Sequence, residues 1–250
     1  MDENNGIRIN KYLSMSGYCS RRAADTLVEQ GKVYVDGIPA ETGTRVFDGQ
    51  TVTVDGREIK PVLECRVFAF YKPIGYISSL SDEQGEGIGR FIPEDLRLYP
   101  VGRLDKDSEG LMLLTNDGEL MNSILKAAEG HEKEYLVKVD RDITQSFLRG
   151  MEKGVLITNR ATGRKVMTAP CTTARIDGRN FTITLIQGLN RQIRRMCGSF
   201  EYKVIGLKRI RIMNITIGNM RPGDIVEITG DNLTELRNRI RRQHEQKGTN

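Results

Sequence analysis

From Val67 onward the chain is divided into short apolar segments that end at glycine, proline or Asp-Gly, a pattern typical of β-strands rather than long helices. VFAFYKP ends at Pro73, LMLLT runs into Asn116-Asp117-Gly118, and CTTARI and NFTITLI flank Asp177-Gly178 as the arms of a hairpin. ELMNSILKAAEG, ITQSFLRGMEKG and NRQIRRMCGSF instead have the apolar spacing of helices. The pattern predicts an α+β domain with a mainly antiparallel mixed sheet and flanking helices.

The N-terminal region has a different pattern, with two short helices before its first strand. Ile9 and Leu13 share one face of the first helix, and Ser20 is placed to cap the second. Arg21 and Arg22 follow that cap, beside the positive end of the helix dipole, where a cation destabilises the helix by roughly a few tenths of a kcal/mol. Two explanations stay open: a solvated face, or an anionic partner that offsets this cost.

Composition limits the chemistry that the chain can perform. It has 250 residues, a formal net charge of +5, 4 cysteines without a CxxC pair and 2 histidines, so we expect no metal site and no disulfide framework. No segment approaches the ~18 apolar residues that cross a bilayer, and the polar N-terminus is unlike a secretory signal, so we expect a cytoplasmic protein with no membrane partner. GxxxxGK[ST] is absent and GEGIG at 85–89 does not follow a strand, which disfavours a nucleotide cofactor. The chemistry must then depend on carboxylates, Lys, Arg and Tyr.

Two charged segments are candidates for that chemistry. PVGRLDKDSEGL places Arg103, Asp105, Lys106, Asp107 and Glu109 between two apolar stretches, although charged loop residues are often only solvated. Residues 187–211 contain seven basic residues and one acid, a density that indicates a polyanion-binding surface. A basic helix paired with acids elsewhere in the chain is the alternative for the second segment.

The N-terminal region resembles the alpha-L RNA-binding domain. The similarity rests on the RINKYL start, the SRR sequence at the second helix and the G-x-V-x-V-D-G strand at 31–37. It implies a domain over residues 6–60, followed by a linker within 55–66, that contacts RNA phosphates. The residues it implies for those contacts are Arg8, Lys11, Arg21, Arg22 and Lys32.

The rest of the chain resembles the RsuA/RluB/RluE/RluF family of rRNA pseudouridine synthases, and its sequence motifs are most similar to those of the RluF branch. YKP, GRLD, K-x-Y-x-V and Q-G-x-x-R-Q-I-R-R-M occur in the family's order. The resemblance implies a pseudouridine synthase catalytic domain over 66–230, with 231–250 as a C-terminal basic helix and tail.

The resemblance also implies the roles of individual residues. Asp105 starts the reaction, either by attacking the ribose C1′ or by taking the C2′ proton, and both routes stay open. It must be ionised, so we expect a guanidinium beside it, from Arg194 by preference and otherwise from Arg191. Tyr135 stacks on the base and assists proton removal at C5. The RNA contacts expected in this domain are Arg103, Arg191, Arg195, Lys208 and Arg209.

The function implied is isomerisation of one uridine to pseudouridine in 23S rRNA, after the base is flipped out of the RNA, as a step of ribosome biogenesis. A tRNA substrate, alone or in addition, stays open. We expect a monomer that needs no cofactor. The alternative from another class is a non-catalytic ribosome- or tRNA-binding protein that uses the same RNA-binding domain.

Overall fold

The computed structural model describes residues 6–60, 65–93, 96–126, 131–158 and 163–247. These residues divide into two compact units. The first comprises the described residues up to Cys65 together with Asn116–Gly118, and the second comprises Arg66–Thr115 and the described residues from Glu119 onward.

The first unit contains two helices, α1 (Ile9–Met15) and α2 (Arg21–Glu29). The Ser20 hydroxyl caps α2 by accepting a hydrogen bond from the Ala23 amide at 3.2 Å, as its sequence position predicts. Leu13, Ala24 and Val33 are fully buried in its core. Its strands are β1 (Ile7–Arg8), β2 (Val33–Val35), β3 (Ile38–Pro39), β4 (Arg45–Val46), β5 (Val52–Val54) and β6 (Arg57–Ile59). They form a four-stranded sheet of order β3-β2-β5-β6 and the pair β1-β4.

The second unit is built on a nine-stranded sheet. Its strands, with a separate β11-β12 hairpin, are β7 (Val67–Lys72), β8 (Tyr99–Val101), β9 (Glu109–Thr115), β10 (Lys133–Val139), β11 (Leu156–Thr158), β12 (Lys165–Met167), β13 (Thr172–Arg175), β14 (Asn180–Leu185), β15 (Val204–Ile212), β16 (Ile215–Thr216) and β17 (Ile225–Glu227). The order is β13-β14-β10-β15-β9-β7-β17, with β16 on β15 and β8 on β9. Among the pairs of this sheet that the described strands form, β15 with β9 is parallel and the others are antiparallel, as in the expected mixed sheet.

Helices cover both faces of this sheet. They are α3 (Gly118–Lys126), α4 (Gln145–Glu152), α5 (Gln192–Gly198) and α6 (Gly230–Lys247), with one 3-10 turn at Ile88–Phe91. Phe147 and Met196, from α4 and α5, pack with Val137 and Phe181 on one face. Ile124, Leu236 and Ile240, from α3 and α6, pack against Val67 and Leu113 on the other. Because α6 lies in this core, it is part of the second unit and not only a charged tail.

Two local predictions differ from the structure. Gly118, expected in a turn, is the first residue of α3. Arg57–Ile59, expected at the start of a linker, pairs with β5 as β6 and extends the small sheet by one strand. Gly130, the last residue of the helical segment ELMNSILKAAEG, lies outside the described residues.

Candidate active site

Asp105 lies in the loop between β8 and β9, and hydrogen bonds hold this loop on both sides of it. The Ser78 hydroxyl donates to the Leu104 carbonyl at 2.8 Å and accepts from the Leu104 amide at 2.9 Å. The Ser108 amide donates to the Asp105 carbonyl at 3.0 Å, and the Gly75 amide donates to the Lys106 carbonyl at 2.9 Å. The backbone at Asp105 is therefore fixed while its side chain remains 32% exposed.

The guanidinium beside Asp105 belongs to Arg191. Its Nη1 is 3.5 Å from Asp105 Oδ2, and its Nη1 and Nη2 make a two-pronged contact with Asp107 Oδ1 and Oδ2 at 2.9 and 2.7 Å. Arg191 has the left-handed backbone conformation, with φ of 50°, at the N-cap of α5. The stronger contact therefore goes to Asp107, and Asp105 receives one longer contact that leaves its oxygens accessible.

The preference for Arg194 as the partner of Asp105 was wrong. Arg194 lies within α5, and its Nη2 donates to the Asp107 carbonyl at 2.7 Å and to Ser108 Oγ at 3.3 Å. Its Nη1 donates to the Val204 carbonyl at 3.1 Å. These contacts engage both terminal nitrogens of Arg194, so Arg194 fixes the loop after Asp105, and the guanidinium that contacts the Asp105 carboxylate is that of Arg191.

Asp107 keeps its charge because of these two arginines. Its hydrogen bond to Arg191 and the nearby Arg194 lower the pKa of Asp107 below its usual value, although partial burial opposes them. An ionised Asp107 in turn fixes the Arg191 side chain next to Asp105.

A second group of polar residues lies along one row of the sheet, across four strands. Register pairs Lys72 of β7 with Gly110 of β9, Gly110 with Arg209 of β15, and Arg209 with Tyr135 of β10. Directly paired residues point to the same face of a sheet. Lys72, Arg209 and Tyr135 are therefore on one face, and the Arg209 guanidinium is 6.0 Å from the centre of the Tyr135 ring.

Gly110 makes this row compact. Its φ is 108°, and a Cβ on this residue would overlap the backbone carbonyl oxygen of Arg209. A glycine is therefore needed for β9 and β15 to approach each other at this point.

Lys72 is a residue that the sequence argument missed. It is 0% exposed, and its Nζ donates to the Pro73 carbonyl at 2.8 Å. Burial lowers the pKa of Lys72 to about 8; the charges of Asp105, Asp107 and Glu109 oppose this effect, and Arg209 adds to it. The available signal was a lysine at the end of an otherwise apolar strand, VFAFYK. Ser78, also missed, carries no local signal.

Two predicted RNA contacts, Arg209 and Lys208, lie on β15, a central strand of the sheet. Arg209 is 5% exposed, and its Nε donates to the Leu111 carbonyl at 2.6 Å, so it is not available to RNA at the surface. Lys208 points to the opposite face, where its Nζ is 4.8 Å from the centre of the Tyr71 ring. Arg195 is half-buried and donates to the Thr158 carbonyl at 2.6 Å.

Tyr135 is half-buried between two core clusters. One of these clusters contains Leu104, the residue before Asp105, so the two predicted catalytic residues border the same core. The neighbouring Lys133 is also mostly buried, and burial with the charge of Arg209 lowers the pKa of Lys133 to about 8.

A cavity of about 540 Å³ opens at the Asp105 loop. Arg103, Asp105, Asp107 and Arg191 contribute its charged lining, and Ile74 is among its apolar residues. This volume is in the range of small-molecule sites and admits one nucleotide. Asp105 is thus an accessible carboxylate beside a guanidinium, which suits attack on carbon or proton removal.

The basic residues predicted for the N-terminal domain are mostly exposed. Arg8, Arg21, Arg22 and Lys32 are exposed and Lys11 is half-buried. Lys11 lies in α1 and Arg21 and Arg22 lie in α2, and both helices bury apolar residues in the core of the first unit.

Two kinds of feature are absent from the described part of the chain. No group of three or more His, Cys, Asp or Glu side chains is arranged to hold a metal ion. No helix there has the length and apolar character to cross a membrane.

Comparisons with known proteins agree with this geometry. A family model described as RNA pseudouridylate synthase matches residues 66–199, and one described as S4 domain matches residues 7–52. The chain is 45% identical over 232 residues, 92% of its length and 78% of the relative's, to the dual-specificity RNA pseudouridine synthase RluF of Escherichia coli K12. It is 34% identical to the ribosomal large subunit pseudouridine synthase B of Bacillus subtilis, over 92% of this chain and 95% of that one.

A solved structure is also similar. The crystal structure of a pseudouridylate synthase aligns with a TM-score of 0.66 at 25% identity, covering 92% of this chain and 99% of that one.

Proposed function

The chain belongs to the RNA pseudouridylate synthase family and is an RNA pseudouridine synthase, and we propose that Asp105 is its catalytic carboxylate and a uridine of 23S rRNA its substrate. The observation that carries the first part is the position of Asp105, which lines a cavity of nucleotide size with the Arg191 guanidinium 3.5 Å from its Oδ2. The alternative, a non-catalytic binding protein, is not favoured, because the second domain matches a family of enzymes and the similar proteins are pseudouridine synthases.

Isomerisation needs one carboxylate and a means of moving protons. The N1–C1′ bond breaks, the base turns, a C5–C1′ bond forms, C5 loses its proton and N1 gains one. Asp105 either attacks C1′, with uracil leaving through N1 and C5 later displacing the carboxylate from C1′, or takes the C2′ proton to give a glycal and returns a proton to C2′ when C5 bonds to C1′. In both routes the ionised carboxylate is the starting form, and the Arg191 guanidinium lies 3.5 Å from its Oδ2.

Tyr135 and Arg194 have supporting roles in this proposal. Tyr135 stacks on the target base and assists loss of the C5 proton. Arg194 is a positioning residue, because it contacts the Asp107 carbonyl and Ser108 Oγ in the loop that presents Asp105.

We further propose a division of labour along the chain. Residues 6–60 hold RNA through Arg8, Lys11, Arg21, Arg22 and Lys32, residues 66–230 carry the reaction, and residues 231–250 add a basic helix and tail. In the catalytic domain Arg103 and Arg191 are the predicted RNA contacts that line the cavity, whereas Arg195 supports β11.

The choice of RNA follows the relatives. One is described as a dual-specificity RNA pseudouridine synthase and another as a ribosomal large subunit pseudouridine synthase. We therefore propose action on 23S rRNA during ribosome biogenesis, with tRNA as a second substrate. The protein acts in the cytoplasm as a monomer, without a cofactor or a membrane partner.

An Asp105→Asn variant tests the catalytic assignment. The amide neither attacks C1′ nor accepts the C2′ proton, so pseudouridine formation stops while RNA affinity and the fold are kept. Asp142→Asn is the matched control, because Asp142 is an aspartate of the same unit with an 80% exposed side chain. Normal turnover by Asp105→Asn contradicts the assignment.

Carbodiimide labelling of cellular RNA, with and without the gene, tests the substrate. Pseudouridine retains the label and stops reverse transcriptase, so one 23S rRNA stop disappears when the gene is deleted. Loss of a stop in tRNA alone contradicts the 23S rRNA proposal and leaves the reaction itself intact.

A further inference from the structure

Ile74 is a large apolar side chain that the fold leaves in solvent at the rim of the cavity. It is 55% exposed and lines the same cavity as Asp105. The preceding strand, β7, is buried along its whole length, so the exposure begins where the chain turns at this rim. An apolar group presented in this way gains free energy only when something apolar covers it.

The turn that carries Ile74 is fixed on both sides. Before it, the Pro73 carbonyl accepts a hydrogen bond from the buried Lys72 Nζ at 2.8 Å. After it, Gly75 has φ of 95°, and its amide donates to the Lys106 carbonyl at 2.9 Å. Ile74 is therefore held at a fixed distance from the Asp105 loop.

Two exposed cations line the same cavity as this apolar residue. They are Arg103 and Lys106, and within the described ranges neither side chain forms an ion pair, whereas the carboxylates of the cavity, Asp105 and Asp107, are both paired with Arg191. An apolar group at the rim of a cavity with accessible cations matches nucleic acid, in which apolar base faces are stacked between phosphates. It does not match an apolar protein partner, which would leave these charges without a counterpart.

We infer that Ile74 is a wedge that enters the base stack of the RNA and fills the place of the uridine that turns into the cavity. This inference rests on the proposed function. Extruding a stacked base exposes the faces of its neighbours, and an inserted isoleucine covers them again. The target uridine is therefore one that lies within a stacked segment.

The test compares Ile74→Ala with the wild type on two RNAs. The first is the stem-loop that carries the mapped uridine, and the second is the same RNA with abasic sites on both sides of that uridine. Abasic neighbours offer no base faces to cover. We expect Ile74→Ala to lower the single-turnover rate about tenfold on the first RNA, about 1.4 kcal/mol, and less than about twofold on the second.

Three variants separate insertion from a general structural role. Ile74→Met retains an apolar wedge and restores most of the rate. Ile176→Ala, which truncates an isoleucine that is 57% exposed at the β13-β14 hairpin, leaves the rate unchanged on both RNAs. Equal losses on both RNAs for Ile74→Ala, or no loss on either, overturn the inference.

A binding measurement needs no turnover and so separates this inference from the proposed function. With 2-aminopurine next to the uridine, Asp105→Asn protein that keeps Ile74 holds the probe apart from the other bases and leaves it bright, because an aliphatic side chain does not quench it. In the Asp105→Asn/Ile74→Ala double variant the bases restack and quench the probe. Equal fluorescence in the two complexes contradicts the wedge even when no pseudouridine forms.

Discussion

At the scale of single residues, hydrogen bonds of neighbouring residues fix the position of the Asp105 carboxylate. Ser78 both donates to and accepts from the Leu104 backbone, and Arg191 divides its guanidinium between Asp107 and Asp105. The GRLD motif identified Asp105, but the sequence did not reveal which arginine would contact it. That depends on how α5 docks on the loop, through tertiary contacts such as the one between Arg191 and Asp107, which are 84 positions apart.

Ser78→Ala tests how far this loop is preorganised. It leaves the Leu104 amide and carbonyl without their side-chain partner, so Asp105 is held less firmly. We expect kcat to fall about tenfold with little change in KM, because positioning rather than RNA binding is lost. Steady-state kinetics measure both constants, and Ser146→Ala, at an exposed position in α4, is the control. An unchanged kcat contradicts the positioning role.

Lys72 links pH to stability. The folded pKa of about 8 is below the ordinary lysine value of 10.5, so the folded protein binds fewer protons than the unfolded chain between these values. The free energy of unfolding therefore gains a contribution that rises with pH over this interval. Lys72→Met removes this contribution. Lys133, whose pKa is also about 8, retains its own.

Urea denaturation from pH 7 to 10.5 measures this effect. As pH rises, the free energy of unfolding of the wild type should increase relative to that of Lys72→Met. Lys138→Met, at an exposed position of β10, should give a flat difference. A flat difference for Lys72→Met would show that its amine titrates normally.

At the scale of elements, local patterns predicted most strands and helices correctly. The β13-β14 hairpin across Asp177-Gly178 and the Ser20 cap were predicted because short-range turn and cap chemistry decides them. The burial of Arg209 was not predicted, since a basic strand at a sheet edge and one at its centre have the same local sequence. Only the pairing of β15 with both β10 and β9 distinguishes them.

Gly110→Ala tests the close approach of β9 and β15. The added Cβ meets the Arg209 backbone and forces an alanine to φ of 108°. We expect a loss of about 3 kcal/mol in the free energy of unfolding, from strain and overlap together. Gly188→Ala is the matched control, because a Cβ there meets nothing within 4 Å. Similar stability of the two variants contradicts the close-packed row.

At the scale of the whole molecule, the sequence predicted two parts of different character, an RNA-binding module and a catalytic α+β domain. That prediction rested on several motifs in a fixed order, and such an ordered set is more specific than any single motif. The packing of α6 into the second unit was missed, because its many charges hide the spacing of Leu233, Leu236 and Ile240.

Arg21→Ala with Arg22→Ala tests the role of the N-terminal unit. Each arginine that neutralises a phosphate releases a counterion, so the slope of log affinity against log salt should fall by about 1.5 to 2. Arg175→Ala with Arg179→Ala removes the same charge from an exposed hairpin and should leave the slope as it is. Filter binding over a salt series measures both, and an unchanged slope in the first variant contradicts phosphate contact.

The left-handed backbone of Arg191 has a consequence for attempts to improve this protein. A residue with a Cβ is strained by about 1 to 2 kcal/mol at φ of 50°, whereas glycine or asparagine adopts this left-handed conformation at a lower energetic cost. Selection for heat resistance alone should therefore enrich Arg191→Gly and Arg191→Asn, which relax the backbone and delete the guanidinium. Given the proposed role of Arg191 beside Asp105, a library screened by melting temperature alone would accumulate stable variants without activity, and only a screen that also measures product would discard them.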